Sequence, residues 1–371
     1  MSATGSDRSR GPAIRATVIA EQLRRPVPGG IGTYTASLLR ALRDLPGEPV
    51  DTMLLASAPG ERPDPLARLG SVRSLPFPSR PLSWLWHHDR LRGPAVGDVV
   101  HATSFDFPAP RRRNGIPLSV FVHDLVWRRV PETFPARGVR WHEAALARAI
   151  AHASALVVPS TRTADDLLAA GAPAERVHVV PEGSDHLPPA RRLGEGGYFL
   201  TVSTIEPRKN LGRLVEAYAR IRSSLPEPWP LKVVGPAGWR GSAATGLPEA
   251  IPEGVELVGS VDDATLADLY SRARVFVYVP LVEGFGLPPV EAMRYGAPVI
   301  ASAVPSVEDA ACIVDPLDVD AIGSAMLRVA SDDAERVDLR ARGDSLTRSH
   351  TWASCAQGHV TVWESIVGGR R

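Results

Sequence analysis

The sequence predicts an α/β protein of two doubly wound domains facing each other across a cleft. Three observations predict it. The chain has 371 residues, long for one hydrophobic core and comfortable for two. In its C-terminal half, short apolar runs alternate with helical periodicity, the pattern of a parallel sheet covered on both faces. Between the halves, DHLPPARRLGEGG (185–197) is rich in Pro, Gly and Arg and lacks periodicity, which reads as a linker.

The C-terminal elements follow in order. Tyr198–Val202 reads as a strand, the loop STIEPRKN follows, and Leu211, Leu214, Val215, Tyr218 and Ile221 recur at helical spacing. LKVVG (231–235) is a strand stopped by Gly235-Pro236, and VELVG (255–259) is another. Asp262 and Asp263 then cap the helix ATLADLYSRA. VFVYV (275–279), a loop, the helix PPVEAMRYG and the strand 297–302 complete the pattern. The N-terminal half repeats the style less cleanly. Its strands are expected at 14–20, 51–55, 97–102, 118–122 and 154–159, and its helices at 32–44, 137–152 and 161–170. The expected division is a loose tail over 1–12, an N-terminal domain over 13–188, a linker over 189–197 and a C-terminal domain over 198–350. A final helical segment, 351–371, fits either domain, including a return to the first.

Composition narrows the function classes. A hydrophobic share of 44%, a charged share of 22% and a net charge of +1 describe a globular protein with no global field for nucleic acid. No run of about 18 apolar residues is present to span a bilayer, and the polar start lacks the apolar stretch of a signal peptide. Cys312 and Cys355 are far apart and form no metal-ligand spacing, so two buried free thiols in a reducing cytoplasm are expected. Of 42 basic residues only Lys209 and Lys232 are lysine. A lysine kept in so arginine-biased a chain suggests a site that wants a compact ammonium.

Four segments carry chemistry, and each alone also fits an ordinary loop without a ligand. In VPLVEGFGLPPVEAMRYG a strand ends at Pro280, Glu283-Gly284-Phe285-Gly286 form a loop, and Pro288-Pro289 open a helix containing Glu291. Glycines permit close approach, and free N–H groups at a helix start favour an anion. In STIEPRKNLGRL, Arg208 and Lys209 stand between a strand end and a helix start, placed to neutralise a diphosphate. In PVPGGIGTYTASLLRAL, Gly29, Gly30 and Gly32 lead into a helix, without the spacing of a nicotinamide-binding fingerprint. In SVFVHDLVWRRVPETF, His123 and Asp124 emerge at a strand end.

Together and in this order, the four segments resemble glycosyltransferase family 4, whose GT-B fold pairs two facing Rossmann-like domains. Glu283 to Glu291 is similar to the family's E-x7-E element, EPRKN to its donor-phosphate loop, GGIGTY to its N-terminal glycine loop and HDL to its strand-end histidine. The resemblance implies a retaining transfer of a hexose from a nucleotide-sugar to an acceptor hydroxyl. It gives Glu283 the hydroxyls of the hexose, Glu291 the ribose, and the N–H groups of Phe285, Gly286 and Leu287 the phosphate or sugar. Arg208 and Lys209 take the diphosphate, and His123 lies beside the sugar. Gly30, Gly32 and Ser203 join the expected donor-binding residues. Many members carry a further Arg where this chain has Ser203-Thr204, leaving Arg208 to substitute.

EPRKN and GFGLPPVEAM look most like the members that transfer mannose from GDP-mannose, or related deoxyhexoses, so GDP-mannose is the favoured donor. No metal and no cofactor besides the donor are expected, because cations and helix N-termini can carry the diphosphate charge. Asp318-Val319-Asp320 reads as a helix cap rather than a metal motif. The expected acceptor is a glycan, a lipid-linked or a small-molecule hydroxyl, and residues 56–96 and 104–117 carry no signature of it. A cytoplasmic location is expected. Trp84 and Trp86, with Arg111–Arg113 and Arg128–Arg129, are candidates for an acceptor patch or a peripheral contact at the inner membrane face. An epimerase of the same fold is the alternative; a nicotinamide-dependent enzyme and a non-catalytic binding module are disfavoured.

Overall fold

A computed structural model describes residues 13–60, 63–112, 115–190, 196–236 and 246–369. The predicted tail 1–12, Arg113 and positions 191–195 of the linker lie outside them.

The first sheet has seven strands: β1 (Ile14–Ile19), β2 (Val50–Ala56), β3 (Ser71–Ser74), β4 (Val99–Ala102), β5 (Leu118–Phe121), β6 (Ala155–Val158) and β7 (Val177–Val179). Their order is β3-β2-β1-β4-β5-β6-β7, and the pairs β1/β2, β1/β4, β2/β3 and β4/β5 are parallel. The helices in this stretch are α1 (Gly29–Asp44), α2 (Ser79–His87), the single turn α3 (Val126–Arg129), α4 (Ala136–His152) and α5 (Thr161–Ala169).

The second sheet has six strands: β8 (Phe199–Val202), β9 (Leu231–Val234), β10 (Val255–Gly259), β11 (Val275–Tyr278), β12 (Val299–Ala301) and β13 (Cys312–Ile313). Their order is β10-β9-β8-β11-β12-β13 and every pair is parallel. The accompanying helices are α6 (Leu211–Ile221), α7 (Asp263–Ser271), α8 (Leu287–Arg294), α9 (Val319–Ser331), α10 (Asp333–Thr347) and α11 (Trp352–Gly368).

The alternation along β11 shows why the second sheet is buried on both faces. Val275, Val277 and Val279 join one core with Leu211, Leu214 and Val215 of α6 and Ile322, Met326 and Val329 of α9. Phe276 and Tyr278 join the opposite core, with Tyr270 of α7 and Val290, Ala292 and Met293 of α8. A strand covered on both sides needs apolar residues at every position, which is why these strands read as continuous runs. Tyr278 therefore ends β11 on the α8 face.

By compactness the chain divides into two units. One contains Met1–Phe121, Ala151–Leu156 and Ala356–Arg371; the other contains Val122–Ile150 and Val157–Cys355. The last helix thus has its residues from Ala356 onward in the first unit. Inside that unit Val18, Leu39, Leu54 and Leu66 are core residues.

In both sheets the strand order reverses beside the first strand, between β1 and β4 and between β8 and β11. Open parallel sheets bind ligands at the carboxyl ends of the strands flanking such a switch point.

Every strand expected in the sequence is present within a few residues; β3, β7 and β13, all short, were not expected. Two of the expected caps hold, Asp262 accepting from the Thr265 N–H at 2.8 Å and Asp318 from the Ala321 N–H at 2.9 Å, whereas Asp263 is the first residue of α7.

Candidate active site

The loops following β8 and β11, the two strands flanking the second switch point, carry the predicted charged residues. After β8 the chain turns through Pro207–Lys209 and starts α6 from Asn210, whose φ of 58° is left-handed. Asn210 is buried, and its amide donates to the carbonyls of Val279 (3.0 Å) and Pro316 (2.7 Å). The Leu281 N–H donates to the Arg208 carbonyl at 2.9 Å. These backbone links zip the two loops together, so the side chains of Arg208, Lys209 and Glu283 arrive at one place.

There, three donors meet one carboxylate oxygen. Glu283 Oε1 accepts from Lys209 Nζ (2.5 Å), the Tyr278 hydroxyl (2.9 Å) and Arg208 Nη1 (3.0 Å). Lys209 also donates to the Tyr278 oxygen at 2.9 Å, and Arg208 reaches Glu206 with its other nitrogen at 2.7 Å. Burial by itself would raise the Glu283 pKa, but Lys209 and Arg208 outweigh it and hold the carboxyl down to about 2. For Arg208 the desolvation cost is exceeded by attraction to Glu283 and Glu206, and its pKa rises. Lys209 shifts the other way: desolvation and the Arg208 charge lower it despite Glu283. Glu283 is thus held ionised within a buried, hydrogen-bonded cluster. Glu206 and Glu283 balance the two cations, so an arriving anion must compete with carboxylates already in place.

Glu291 lies in α8, whose first turn accommodates Pro288 and Pro289 without losing a helical hydrogen bond. It is buried, not a helix-surface residue. Tyr270 donates its hydroxyl to Oε2 at 2.8 Å, and His186 Nε2 lies 3.4 Å from Oε1. Desolvation raises its pKa in spite of His186 and Tyr270. Glu283 and Glu291 therefore occupy separate networks with opposite electrostatic character.

Between them, the loop turns its carbonyls inward. The Gly284 carbonyl accepts from the Ser160 hydroxyl (2.6 Å), that of Phe285 from the Ser306 N–H (3.1 Å), and that of Gly286 from the Ser306 hydroxyl (2.8 Å). Gly286, at φ +93°, precedes α8, in a conformation that favours glycine. Among the described residues, the N–H groups of Phe285, Gly286 and Leu287 make no backbone hydrogen bond. N–H groups without a backbone partner at a helix start are the kind that can bind an anion.

His123 follows β5, with Nδ1 3.4 Å from the buried Glu182. A Cβ on Gly284 would stand 2.0 Å from the His123 carbonyl oxygen, so this close approach needs a residue without a side chain. His123, Arg208, Lys209, Glu283, Phe285, Gly286, Leu287 and Glu291 thus belong to one compact unit. Ser203 is buried there too, with no hydrogen-bond partner for its hydroxyl. Gly30 and Gly32 belong to the other unit; they lie in the first turn of α1 rather than before it.

Several residues in this arrangement were not singled out in the sequence: Tyr278, Tyr270, Glu182, His186, Glu206 and Ser160. Tyr278 reads as one more apolar strand residue, and the others gain a role only when distant segments meet.

Other expectations need correction. Trp86 is fully buried, so it contributes nothing to a surface patch; Trp84 is exposed and stacks on His88. Arg128 and Arg129 are paired with Glu143 and Asp166, which cancels that basic patch. Cys312 is only half-buried and accepts from Arg328 at 3.1 Å, whereas Cys355 is buried; both are free thiols. No helix among the described residues is long and apolar enough to cross a membrane.

Comparison with known proteins fits this geometry. Residues 28–186 match the model of Glycosyltransferase Family 4, and residues 196–332 that of Glycosyl transferases group 1. The chain is 32% identical to the O-antigen chain mannosyltransferase B of Escherichia coli, over 75% of its own length and 78% of that protein's. It is 31% identical to the MMP alpha-(1->4)-mannosyltransferase of Mycolicibacterium hassiacum, over 68% and 66% of the two chains. Among solved structures, Anabaena HepE in complex with UDP and glucose superposes with a TM-score of 0.71 at 18% identity, covering 95% of this chain and 100% of that one. The chain belongs to glycosyltransferase family 4 and is a glycosyltransferase of the GT-B fold.

Proposed function

We propose that the protein transfers a mannosyl residue from GDP-mannose to a glycan hydroxyl. The observation that carries this reading is the convergence of Arg208, Lys209 and Tyr278 on one oxygen of Glu283, at the second switch point. Two buried cations suit a diphosphate, and a carboxylate kept ionised suits sugar hydroxyls. That both relatives described above are named mannosyltransferases supports mannose as the sugar. Their names also denote transferases, which leaves the epimerase alternative without support. One of them is named for an O-antigen chain, which favours a glycan acceptor.

In the proposed reaction the acceptor oxygen bonds to the hexose C1 as the bond from C1 to the diphosphate oxygen breaks. The acceptor proton passes to the departing phosphate oxygen on the same face, so configuration is retained. Arg208 and Lys209 offset the charge that develops on the diphosphate. Glu283 accepts from hexose hydroxyls, His123 donates beside the sugar, and Glu291 accepts from the ribose.

Thermal shift with GDP-mannose, UDP-glucose, GDP and UDP tests the donor, since a ligand that binds the folded state raises its stability. The largest rise is expected with GDP-mannose. A larger rise with UDP-glucose, the kind of donor that the UDP and glucose bound by HepE suggest, overturns the choice of donor. No rise with any nucleotide overturns the whole reading.

A further inference from the structure

The Gly284 carbonyl accepts two hydroxyls from the start of α5: Ser160 Oγ at 2.6 Å and Thr163 Oγ1 at 3.3 Å. Both are buried, and both lie more than a hundred residues before the loop they hold. Ser160 also caps α5, accepting from the Thr163 N–H at 3.2 Å. A cap needs only the oxygen's lone pair. The hydroxyl proton is committed elsewhere, to Gly284.

The consequence follows from peptide geometry. In a trans peptide the carbonyl and the following N–H point in opposite directions, and no cis bond is present among the described residues. Fixing the Gly284 oxygen toward Ser160 and Thr163 turns the Phe285 N–H away from them. That N–H makes no backbone hydrogen bond and lies between Glu283 and the start of α8. With no side chain on Gly284 to hinder rotation, the peptide would otherwise turn easily.

We infer that Ser160 and Thr163 are positioning residues for the transfer: their hydroxyls set the 284–285 peptide so that the Phe285 N–H is presented to the donor. This rests on the reading that the 283–287 loop receives the donor. A purely structural cap at Ser160 would need neither the hydroxyl proton nor Thr163 Oγ1.

The sequence offers a direct test. Gly284–Phe285 is the chain's only Gly-Phe pair, so labelling glycine carbonyl carbon with 13C and phenylalanine nitrogen with 15N gives a single correlation for this peptide. The full-length protein is compared with Ser160→Thr, Ser160→Ala, Ser160→Asp and Thr163→Val. Aspartate keeps the cap but has no proton to donate. Without ligand, the correlation is expected to stay in place in Ser160→Thr and to move in Ser160→Ala and Ser160→Asp, with a smaller move in Thr163→Val. GDP-mannose affinity is expected to fall about tenfold in Ser160→Ala and Ser160→Asp, the loss of one hydrogen bond, while affinity for guanosine, which has no phosphate or sugar to meet this N–H, stays unchanged. If Ser160→Asp leaves both the correlation and the GDP-mannose affinity as in wild type, Ser160 is only a cap and the inference is overturned. If wild type binds no GDP-mannose, the donor reading fails instead, and the ligand-free correlation still decides whether the hydroxyls hold the peptide.

Discussion

Lys209 Nζ lies 2.5 Å from Glu283 Oε1, the same oxygen that Arg208 reaches at 3.0 Å. Two cations on one buried carboxylate oxygen cost desolvation that their mutual contacts must offset. The arrangement is informative because it is placed where the strand order reverses, not scattered over a surface. On the proposed reading, a diphosphate would meet charge already buried and fixed there, the condition under which electrostatic stabilisation of a leaving group is strongest.

Glu283→Gln should destabilise the ligand-free protein. Removing one partner of a buried ionic cluster costs about 3–5 kcal/mol, because the remaining charges are uncompensated. The melting temperature should therefore drop, and GDP should recover part of the loss by supplying anionic oxygens to Arg208 and Lys209. Melting curves with and without GDP check this; an unchanged melting temperature contradicts it.

Acid should reveal the same carboxylate. Its folded pKa, about 2, lies below the ordinary value of 4.5. Its contribution is therefore complete above pH 4.5 and is lost as pH falls from there toward 2. Wild type should lose stability more steeply than Glu283→Gln across that window, as read by melting temperature against pH. Parallel curves would contradict the assigned shift.

Glu291 should behave in the opposite sense. Its pKa is raised by burial, so ionisation is penalised in the folded state and stability falls as pH rises through that value. Glu291→Gln keeps an acceptor for the Tyr270 hydroxyl and removes the charge. At neutral pH it should melt at or above the wild-type temperature while binding GDP more weakly. A stabilised variant with undiminished GDP affinity would separate Glu291 from the nucleotide.

The first unit contains a buried titratable group of its own, His359. His359 Nε2 lies 2.9 Å from the Tyr34 hydroxyl, which is also 3.2 Å from His101 Nε2, all buried. Desolvation lowers the His359 pKa from 6.5 to about 3. Its neutral form thus supports the fold above pH 6.5, and that support is lost as pH falls toward 3, at up to about 1.4 kcal/mol per pH unit. His359→Gln should flatten the stability profile between these limits. A profile as steep as wild type would assign the acid sensitivity elsewhere.

Much of the fold was legible because a doubly covered sheet writes itself as apolar runs. VFVYV and LKVV needed no context to be read as strands. β7 (VHV) and β13 (CI) are short strands at sheet edges, too brief to form an apolar run. α2 went unassigned because Pro81 interrupts its pattern; the proline is tolerated in the first turn, where its missing N–H has no partner to lose. In the site, Arg208, Lys209 and Glu283 were legible as charges in loops after strands, and Glu291 as a charge inside the following helix. Tyr278 was not, since the side of β11 it occupies follows from the packing of α8. Ser160 was not, since its second role exists only where α5 meets Gly284.

The most direct test of the central claim is GDP release from GDP-mannose, with a mannosylated glycan acceptor, by wild type and Lys209→Ala. Loss of a preorganised cation beside the leaving diphosphate should lower kcat by about 10²–10³-fold, with the fold intact by circular dichroism. A Lys209→Ala enzyme that turns over GDP-mannose at the wild-type rate would contradict the account.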